Sequence, residues 1–207
     1  HGNAFTKSYA HGGQIEIPTH QTVCLHILSG ILYRASGMRT VDFANELLFA
    51  PLGIKEHINY NAADAEEHKA FTVEKTPKKP VWFADPQGLC TPGYGLCLSA
   101  ADMAKLGQLC LDGGVANGRR VLSADRIKEL TTPAYIADDR FRGKMYGMLW
   151  WILDGEKPVY AAIGDSGNVI CVDGREKLTV SVSSYFKPSV RDRVDFIERI
   201  LLKELAG

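Results

Sequence analysis

The segment Gly164-Asp165-Ser166-Gly167 has the residue types best suited to chemistry on a substrate. A small hydroxyl residue between glycines at the start of a strand lets the backbone of a substrate approach closely, because glycine has no side chain to block it. Gly and Ser are also ordinary turn residues, so a plain tight turn is the alternative interpretation. Residue types alone leave both interpretations open.

Two predicted antiparallel strands follow this segment, over residues 168–172 and 178–185. The second alternates between apolar and hydroxyl side chains, which is the period of a half-buried strand with one face on a core. Asp173-Gly174 is predicted to form the turn, since such a pair accepts a positive φ at low cost. Two further strands are predicted upstream, over 147–153 and 159–163, which together indicate an antiparallel meander of about four strands.

Helical patterns occupy most of the remaining chain. Residues 22–36 are predicted to form a helix that ends at Gly37, with an apolar face made of Ile27, Leu28, Ile31, Leu32 and Ala35. Thr40 is expected to cap a second helix through Phe49 that buries Phe43, Leu47 and Leu48. Ser99, Ser123 and Ser189 are expected to begin three more helices, and residues 55–98 are expected to be mostly irregular.

These elements predict an α+β fold. Helices and long loops come first, the antiparallel β-meander follows, and the C-terminal helix packs on the sheet because an antiparallel sheet needs its apolar face covered. We expect one domain over residues 1–207, mainly helix and loop in 1–145 and sheet plus terminal helix in 146–207. The chain begins at His1 rather than Met, which we interpret as a processed protein, a tag remnant or a fragment.

Composition narrows the classes of partner. Lys plus Arg equals Asp plus Glu at 24 each, so no overall field favours nucleic acid, and no apolar run reaches the length of a membrane span. The five cysteines contain no CxxC pair, which slightly favours free thiols in a reducing, cytoplasmic compartment. We expect a small-molecule or peptide substrate and, from apolar surface left exposed by a shortened helical part, association between copies.

The acidic segment around His68 is the one place where metal ligands could be imagined. His57, Asp64, Glu66, Glu67 and His68 lie close in sequence, but the carboxylates are better interpreted as a solvated face. No HExxH pair, phosphate loop or dinucleotide fingerprint occurs, so we expect neither a metal nor a cofactor.

A series of segments in one order resembles the serine β-lactamase-like family of the class C type, which includes penicillin-binding proteins, D-alanyl-D-alanine carboxypeptidases and esterases. The segments are HILSGILYRASGM, FANELLFAPLGI, GYGLCLSAADMAKLGQLCLDGG, NGRRVLS, YGMLWW and GDSGNVICVDGREKLTVSVSSYF. The resemblance covers roughly Thr19 to Leu205. It implies an acyl-enzyme mechanism on an ester or amide bond, with the Tyr94 and Trp150 segments near the substrate cleft.

The family's first motif is Ser-x-x-Lys at a helix start, where the Lys can act as base for the Ser. The best match by context is Ala4-Phe5-Thr6-Lys7, in which Ala4 stands at the nucleophile position and Lys7 at the base position. A literal match also occurs at residues 184–187, but it lies at a strand end, and we interpret it as chance.

The second and third motifs fall on residues with altered chemistry. The second, Tyr-x-Asn, aligns with His20-Gln21-Thr22, so His20 could transfer protons and Thr22 could contact substrate, or both could be plain polar residues before a helix. The third, Lys-Thr-Gly or His-Thr-Gly, aligns with Asp165-Ser166-Gly167.

In the third motif, Ser166 keeps the hydroxyl, and Gly167 with the following Asn168 keeps access to the backbone, so the strand could supply an N–H to an oxyanion. Asp165 reverses the family's usual charge, which disfavours carboxylate substrates and leaves neutral esters or amides.

Two functions follow from the resemblance. The first is a serine hydrolase acting through an acyl-enzyme, with the present chain incomplete or catalytically impaired. The alternative is a non-catalytic relative that binds a peptide, a glycan or a protein partner through the same cleft, which Ala4 and Asp165 favour.

Overall fold

A computed structural model describes residues 22–74, 79–136, 144–156, 158–164, 167–184 and 193–205. Its helices are α1 (Thr22–Ser36), α2 (Thr40–Ala44), α3 (Ala65–Lys69), α4 (Ala100–Leu111), α5 (Ala124–Leu130), α6 (Arg193–Phe196) and α7 (Leu202–Leu205). Single π-helical turns extend α2 (Asn45–Phe49) and α3 (Ala70–Glu74), and another joins α6 to α7 (Ile197–Leu201). The helices-first, sheet-last order confirms the predicted α+β fold.

Ten strands are described: β1 (Ile58–Tyr60), β2 (Val81–Phe83), β3 (Val115–Ala116), β4 (Arg119–Arg120), β5 (Tyr135–Ile136), β6 (Met145–Tyr146), β7 (Trp151–Asp154), β8 (Val159–Ile163), β9 (Val169–Asp173) and β10 (Leu178–Val182). Strands β5 to β10 form one antiparallel meander in which sequential strands are neighbours. The meander therefore has six strands rather than the expected four. The predicted strand over 147–153 is wrong in its first half, because Gly147 donates its amide to the Trp150 carbonyl at 2.8 Å and closes a turn.

The β9–β10 hairpin confirms two antiparallel strands here, but β10 ends earlier than predicted, at Val182, and the turn also differs. Asp173 pairs with Leu178, so four residues form the connection, and the positive φ of 52° lies at Lys177 rather than at Asp173-Gly174. The Asp173 carboxylate shapes this turn, since its Oδ1 accepts the backbone amides of Arg175 at 2.9 Å and Glu176 at 3.3 Å.

The sheet is covered on both faces. Val169 and Cys171 face the C-terminal segment, where Ile197 is fully buried against them, as the sequence predicted. The opposite face lies under α4, where Gly107 sits directly over Ile170 and Thr179. The hydroxyl residues of β10 were expected to point away from a core, but Thr179 and Ser181 face α4 instead.

The first two helices are joined through buried hydroxyls. Gly37 ends α1 with φ 73°, and its amide donates to the Tyr33 carbonyl at 2.8 Å, which confirms the predicted cap. The expected cap at Thr40 is wrong, because Arg39 is the N-cap residue and Thr40 is the first residue of the helix. The Thr40 hydroxyl is hydrogen-bonded to that of Ser29 in α1.

The outer face of α1 carries exposed apolar side chains. Ile27, Leu28 and Ile31 are 59%, 52% and 56% exposed, although the sequence grouped them as one apolar face. Leu47, which was expected to be buried in the second helix, is 41% exposed, and Phe49 is the buried residue there. None of the described helices is long and apolar enough to cross a membrane.

Residues 55–98 are more regular than predicted. β1 and β2 pair in parallel, with Ile58 opposite Val81, and α3 lies between them in the chain. Each strand has only three residues, too few for a pattern of alternation to show in the sequence. The predicted start of α4 is confirmed, because the Ser99 hydroxyl accepts the Asp102 amide at 3.1 Å.

Candidate active site

The connection between β8 and β9 is a closed turn at one end of the sheet. The Gly164 amide donates to the Asn168 carbonyl, and the Gly167 amide donates to the Gly164 carbonyl, both at 2.9 Å. Gly167 has φ 90°, a conformation that favours glycine. The Gly167 N–H is therefore already used by the turn, so an oxyanion role for this segment cannot rest on that amide in this conformation.

The start of α4 lies at the same end of the sheet. Val169 pairs with Val182, which places the end of β10 beside the start of β9. The Asn168 Oδ1 accepts the amide of Ser184 at 2.8 Å, and the Ser181 hydroxyl donates to the Ala100 carbonyl at 2.6 Å. Asn168 thus ties two strand ends together beside the N-terminus of α4.

The β6–β7 turn is a third feature at this end. Trp151 pairs with Ala161, so residues 147–150 extend in the direction of the β8–β9 turn. Met148 and Leu149 in this turn are 49% and 47% exposed, and Leu149 has φ 66°. The Trp150 ring packs edge-on against Tyr160, with centroids 5.2 Å apart. The two turns and the start of α4 therefore border one end of the sheet.

Residues 91–99, the Tyr94 loop, lead into α4. The Tyr94 ring stacks on Phe83 at a centroid distance of 5.6 Å, and its hydroxyl lies 3.4 Å from Nε2 of His68. Gly95 has φ 82°, and a Cβ at this position would lie 2.4 Å from the Phe83 Cβ. The loop therefore requires glycine here, and it presents a Tyr94 side chain that is 37% exposed on a shelf of aromatic rings.

A buried histidine fastens the Tyr94 loop from beneath. His57 is 2% exposed; its Nδ1 lies 2.8 Å from the Lys55 carbonyl oxygen and its Nε2 lies 2.9 Å from that of Cys97. Asn45 holds the His57 backbone through two hydrogen bonds, of 2.8 and 2.9 Å. The ring of His57 thus connects the π-helical turn after α2 to the residues just before α4.

A second histidine connects α1 to the loop after β2. The His26 Nε2 lies 3.0 Å from Oδ2 of Asp85, beside a cavity of ≈ 710 Å³ lined partly by the exposed face of α1. Burial opposes ionisation of Asp85, but hydrogen bonds from the Leu89 amide, His26 and the Gln87 amide outweigh burial and lower the pKa of its carboxyl. This pair holds α1 in place.

A sequence model of the Beta-lactamase family matches residues 20–203. The chain belongs to the beta-lactamase family. The predicted resemblance is confirmed at this level, and its class C subdivision stays a prediction.

The chain is similar to a curated hydrolase in sequence and to two solved structures in fold. The 6-aminohexanoate-dimer hydrolase of Paenarthrobacter ureafaciens is 27% identical over 173 residues, which cover 80% of this chain and 38% of that protein. A structure described as a candidate 6-aminohexanoate-dimer hydrolase from Bacillus anthracis has a TM-score of 0.66 at 18% identity and covers 95% of this chain and 45% of its own. A family VIII carboxylesterase has a TM-score of 0.54 at 16% identity and covers 84% and 55%. The chain thus spans about half the length of these proteins or less, and the two structures show the shared fold.

The predicted site residues divide into two groups. Lys7, His20, Asp165 and Ser166 lie outside the described residues. The described ones are Thr22, Tyr94, Gly167 and Asn168, and Thr22 is the first residue of α1. Gly167 and Asn168 share the β8–β9 turn, and the Tyr94 loop reaches the same end of the sheet through the start of α4.

Sequence reasoning considered His57 only as a metal ligand and missed its contact with Asn45, which depends on packing between residues 12 positions apart. No local pattern marks such a pair in a sequence. Three residues that the sequence analysis considered as metal ligands make other contacts in the structure. The His57 ring lies within hydrogen-bond distance of two carbonyl oxygens, Asp64 caps α3, and Glu67 accepts a hydrogen bond from the Tyr60 hydroxyl at 2.5 Å.

Proposed function

We propose that this protein is a hydrolase that acts through an acyl-enzyme on ester or amide bonds flanked by uncharged aliphatic groups. The observation that carries the proposal is the family match over residues 20–203, a range that includes the Tyr94 loop and the segment we align with the third motif. The name of the Paenarthrobacter ureafaciens relative, a 6-aminohexanoate-dimer hydrolase, supports an amide as the bond that is cleaved, and that of the carboxylesterase supports an ester; the preference for uncharged substrates is supported by Asp165 alone.

The roles we assign follow the family's motifs. A serine oxygen would form a bond to the carbonyl carbon, the amine or alcohol would leave with a proton, and water would then release the acid. Lys7 and His20 are the proposed proton carriers, Ser166 the proposed hydroxyl on the third-motif strand, and Thr22 and Tyr94 the proposed substrate contacts. Ala4 stands where the matched motif has its nucleophile, so the nucleophile itself has no assigned residue.

Asp165 is the proposed determinant of substrate charge. A unit charge pair at about 4 Å contributes roughly 1 to 4 kcal/mol between bulk water and a surface-like dielectric. Asp165 aligns with the Lys or His of the family's third motif. A carboxylate at this position would repel an anionic substrate that the cation would attract. Bonds flanked by uncharged groups are therefore the substrates we propose.

The test uses protein expressed from its full reading frame. Intact mass is measured after incubation with a fluorophosphonate, and kcat/KM is measured for a neutral p-nitrophenyl ester and for an ester of similar size that carries a carboxylate. We expect one adduct, and we expect Asp165→Asn to raise the ratio of anionic to neutral kcat/KM about tenfold or more. A folded protein with no adduct and no turnover would refute the hydrolase.

A binding-only relative is the second candidate, favoured by Ala4 and Asp165. It predicts no adduct together with saturable binding of a peptide or glycan. Ala4→Ser tests the link between the two candidates, because it restores the matched Ser-x-x-Lys motif. If only this variant gains the adduct, then the segment at Lys7 is an inactivated first motif.

A further inference from the structure

The cavity beside α1 is a groove with an apolar floor. Ile27, Gly30 and Ile31 line it along α1, and Leu89 of the loop after β2 lines it from the other side. Ile27 and Ile31 lie one helical turn apart on the same side of α1, and each is more than half exposed beside the cavity. None of the predicted site residues that the structure describes lines this cavity. Its own shape and charge therefore indicate what it binds.

The groove has the size of a small-ligand pocket. Its volume of ≈ 710 Å³ lies within the range of about 300–1,000 Å³ that is usual for such pockets. It follows α1 from His26 to Arg34, a distance of about 12 Å along the helix axis. A Cβ on Gly30 would meet only Cδ1 of Leu89, at 3.9 Å, so the glycine keeps the space between α1 and the loop open. A long, narrow apolar space of this kind suits an extended alkyl chain.

The two ends of the groove carry opposite charges. At the start of α1, the Asp85 carboxylate lies 3.0 Å from Nε2 of His26. At the other end lie Arg34, in the last turn of α1, and Arg39, the N-cap residue of α2. Arg39 is already paired with Asp42, whereas the Arg34 guanidinium has no ion-pair or hydrogen-bond partner among the described residues. An anion is therefore favoured at the Arg34 end and disfavoured at the Asp85 end.

We propose that this groove binds a free aliphatic carboxylate, with its alkyl chain on Ile27, Ile31 and Leu89 and its head group at Arg34. The guanidinium presents a planar fork of N–H donors that matches the two oxygens of a carboxylate. Contact of the chain with the apolar floor supplies most of the affinity, and the ion pair sets the direction in which the chain lies. The proposal goes beyond the proposed hydrolysis and does not require it.

The charges of the groove favour a free acid over a lipid surface. An anionic membrane attracts a protein through a cluster of Lys and Arg side chains. Here Arg34 and Arg39 face the carboxylates of Asp42 and Asp85, so the groove has no such excess of cations. The chain as a whole has 24 basic and 24 acidic residues, which adds no attraction to an anionic surface. A single carboxylate needs one unpaired cation, and Arg34 supplies it.

The first experiment titrates the full chain with sodium octanoate, which light scattering shows to be monomeric under the conditions used. The ¹³C-methyl signals of Ile27, Ile31 and Leu89 are followed, each assigned by substitution with Val. We expect saturable shifts at these three residues, with a Kd of about 1 mM or tighter for a ligand of this size. A titration without saturable shifts at these methyl groups overturns the proposal.

Two substitutions separate the head group from the chain. Arg34→Gln should weaken the binding of octanoate about two- to fivefold, the strength of an exposed ion pair, and leave that of octanol unchanged. Arg119→Gln is the matched control and should change neither, because Arg119 is an exposed arginine of β4 that does not line the cavity. An equal loss of both ligands in Arg34→Gln contradicts a carboxylate at Arg34.

Gly30→Phe tests the apolar floor, because its ring would occupy the groove. It should abolish the binding of octanoate and octanol, whereas Gly30→Ala should retain both, since its Cβ meets only Leu89. Unchanged binding in a folded Gly30→Phe protein places the alkyl chain elsewhere and overturns the proposal. If Gly30→Phe does not fold, the methyl shifts of the unmodified chain still locate the ligand.

Three other outcomes would assign the groove to a different occupant and so refute the proposal. If the same methyl signals shift when the ligand-free protein is diluted, a second copy of the chain fills the groove. If phosphatidylglycerol vesicles bind the protein but free octanoate does not, the groove contacts a lipid surface. If octanoate binds only after residues 1–21 are deleted, that segment of the chain is the occupant. None of these measurements uses turnover, so a failed hydrolysis assay leaves octanoate binding untouched, and a protein that hydrolyses esters without binding octanoate removes only this proposal.

Discussion

Gly107 is the point at which α4 comes closest to the sheet, and its substitution by Ala tests the packing of the two layers. An added Cβ would lie 2.3 Å from Cγ2 of Thr179 and 3.0 Å from Cγ2 of Ile170. The first distance is too short for any carbon–carbon contact, so either Thr179 changes rotamer or α4 moves away from β10. Gly30, in the interior of α1, is a matched control, since a Cβ there would meet only Leu89 Cδ1 at 3.9 Å.

Two opposing effects set the magnitude. Alanine is favoured over glycine in a helix interior by about 1 kcal/mol. Overpacking of a filled core costs about 1–3 kcal/mol. Gly30→Ala has only the first effect and should raise the free energy of unfolding by about 1 kcal/mol. Gly107→Ala has both effects and should lower the free energy of unfolding by up to about 2 kcal/mol.

Urea unfolding measures both variants, and a double-mutant cycle with Thr179→Ala isolates the contact. The Thr179 Oγ1 is buried without a hydrogen-bond partner among the described atoms, so Thr179→Ala removes an unsatisfied hydroxyl together with the clashing methyl. In that background Gly107→Ala should change sign and become neutral or stabilising. The reasoning about the α4–sheet contact is refuted if Gly107→Ala stabilises the original chain as much as Gly30→Ala does.

Three further predictions address other parts of the fold. Asp173→Asn should lower the free energy of unfolding by about 2 kcal/mol at pH 7, because hydrogen bonds, above all that from the Arg175 side chain, stabilise the charged form of this buried carboxyl and lower its pKa. This stabilisation is present above about pH 4, where the carboxyl of the unfolded chain is ionised. The urea midpoints of the two proteins should therefore converge as the pH falls through the lowered pKa of the folded protein. Cys171, whose pKa is raised to about 12 by burial, should react with iodoacetamide at pH 8 about a thousandfold more slowly in the folded than in the urea-unfolded chain, as measured by mass spectrometry. Substitution of Ile27 and Ile31 by Ser should reduce binding of an apolar dye and any association seen by light scattering, since these side chains are 59% and 56% exposed. If dye binding and association are unchanged, the apolar surface responsible for them lies elsewhere.

Much of the fold could be predicted where a local signal and the tertiary structure agree. The bounds of α1 and β8 are those predicted, and each of these elements is followed directly by a glycine, at 37 and 164. Ser99 and Ser123 cap their helices as expected, since an N-cap bond involves residues only three apart.

The errors occur where a distant partner decides the local structure. Thr40 has the residue type of a cap, but its hydroxyl is bonded to Ser29 on another helix, so the cap position moves to Arg39. The pairing of β1 with β2 joins segments that are separated by α3, and three-residue strands leave no period in the sequence. The hydroxyl residues of β10 suggested a solvent-facing side, but a Ser can face a helix when its hydroxyl donates to a carbonyl of that helix, as Ser181 does at Ala100.

In the candidate site, too, some features follow from local sequence signals and others from contacts with distant residues. Which backbone and side-chain groups are already hydrogen-bonded bears on which predicted residues could contact a substrate. The sequence placed Gly167 and Asn168 at the start of a strand, and the structure agrees, but the Gly167 amide and the Asn168 Oδ1 are both used in closing strand ends. Tyr94 differs, because its backbone is fixed by Gly95 on Phe83 while 37% of its side chain stays exposed. A side chain on a rigid support can contact a substrate without the loss of its own hydrogen bonds, whereas the Gly167 amide would first have to leave the turn. If the proposed function holds, we therefore expect substrate recognition by the described residues to depend on the Tyr94 loop, and on the contacts that hold that loop, more than on the turn that carries the third motif.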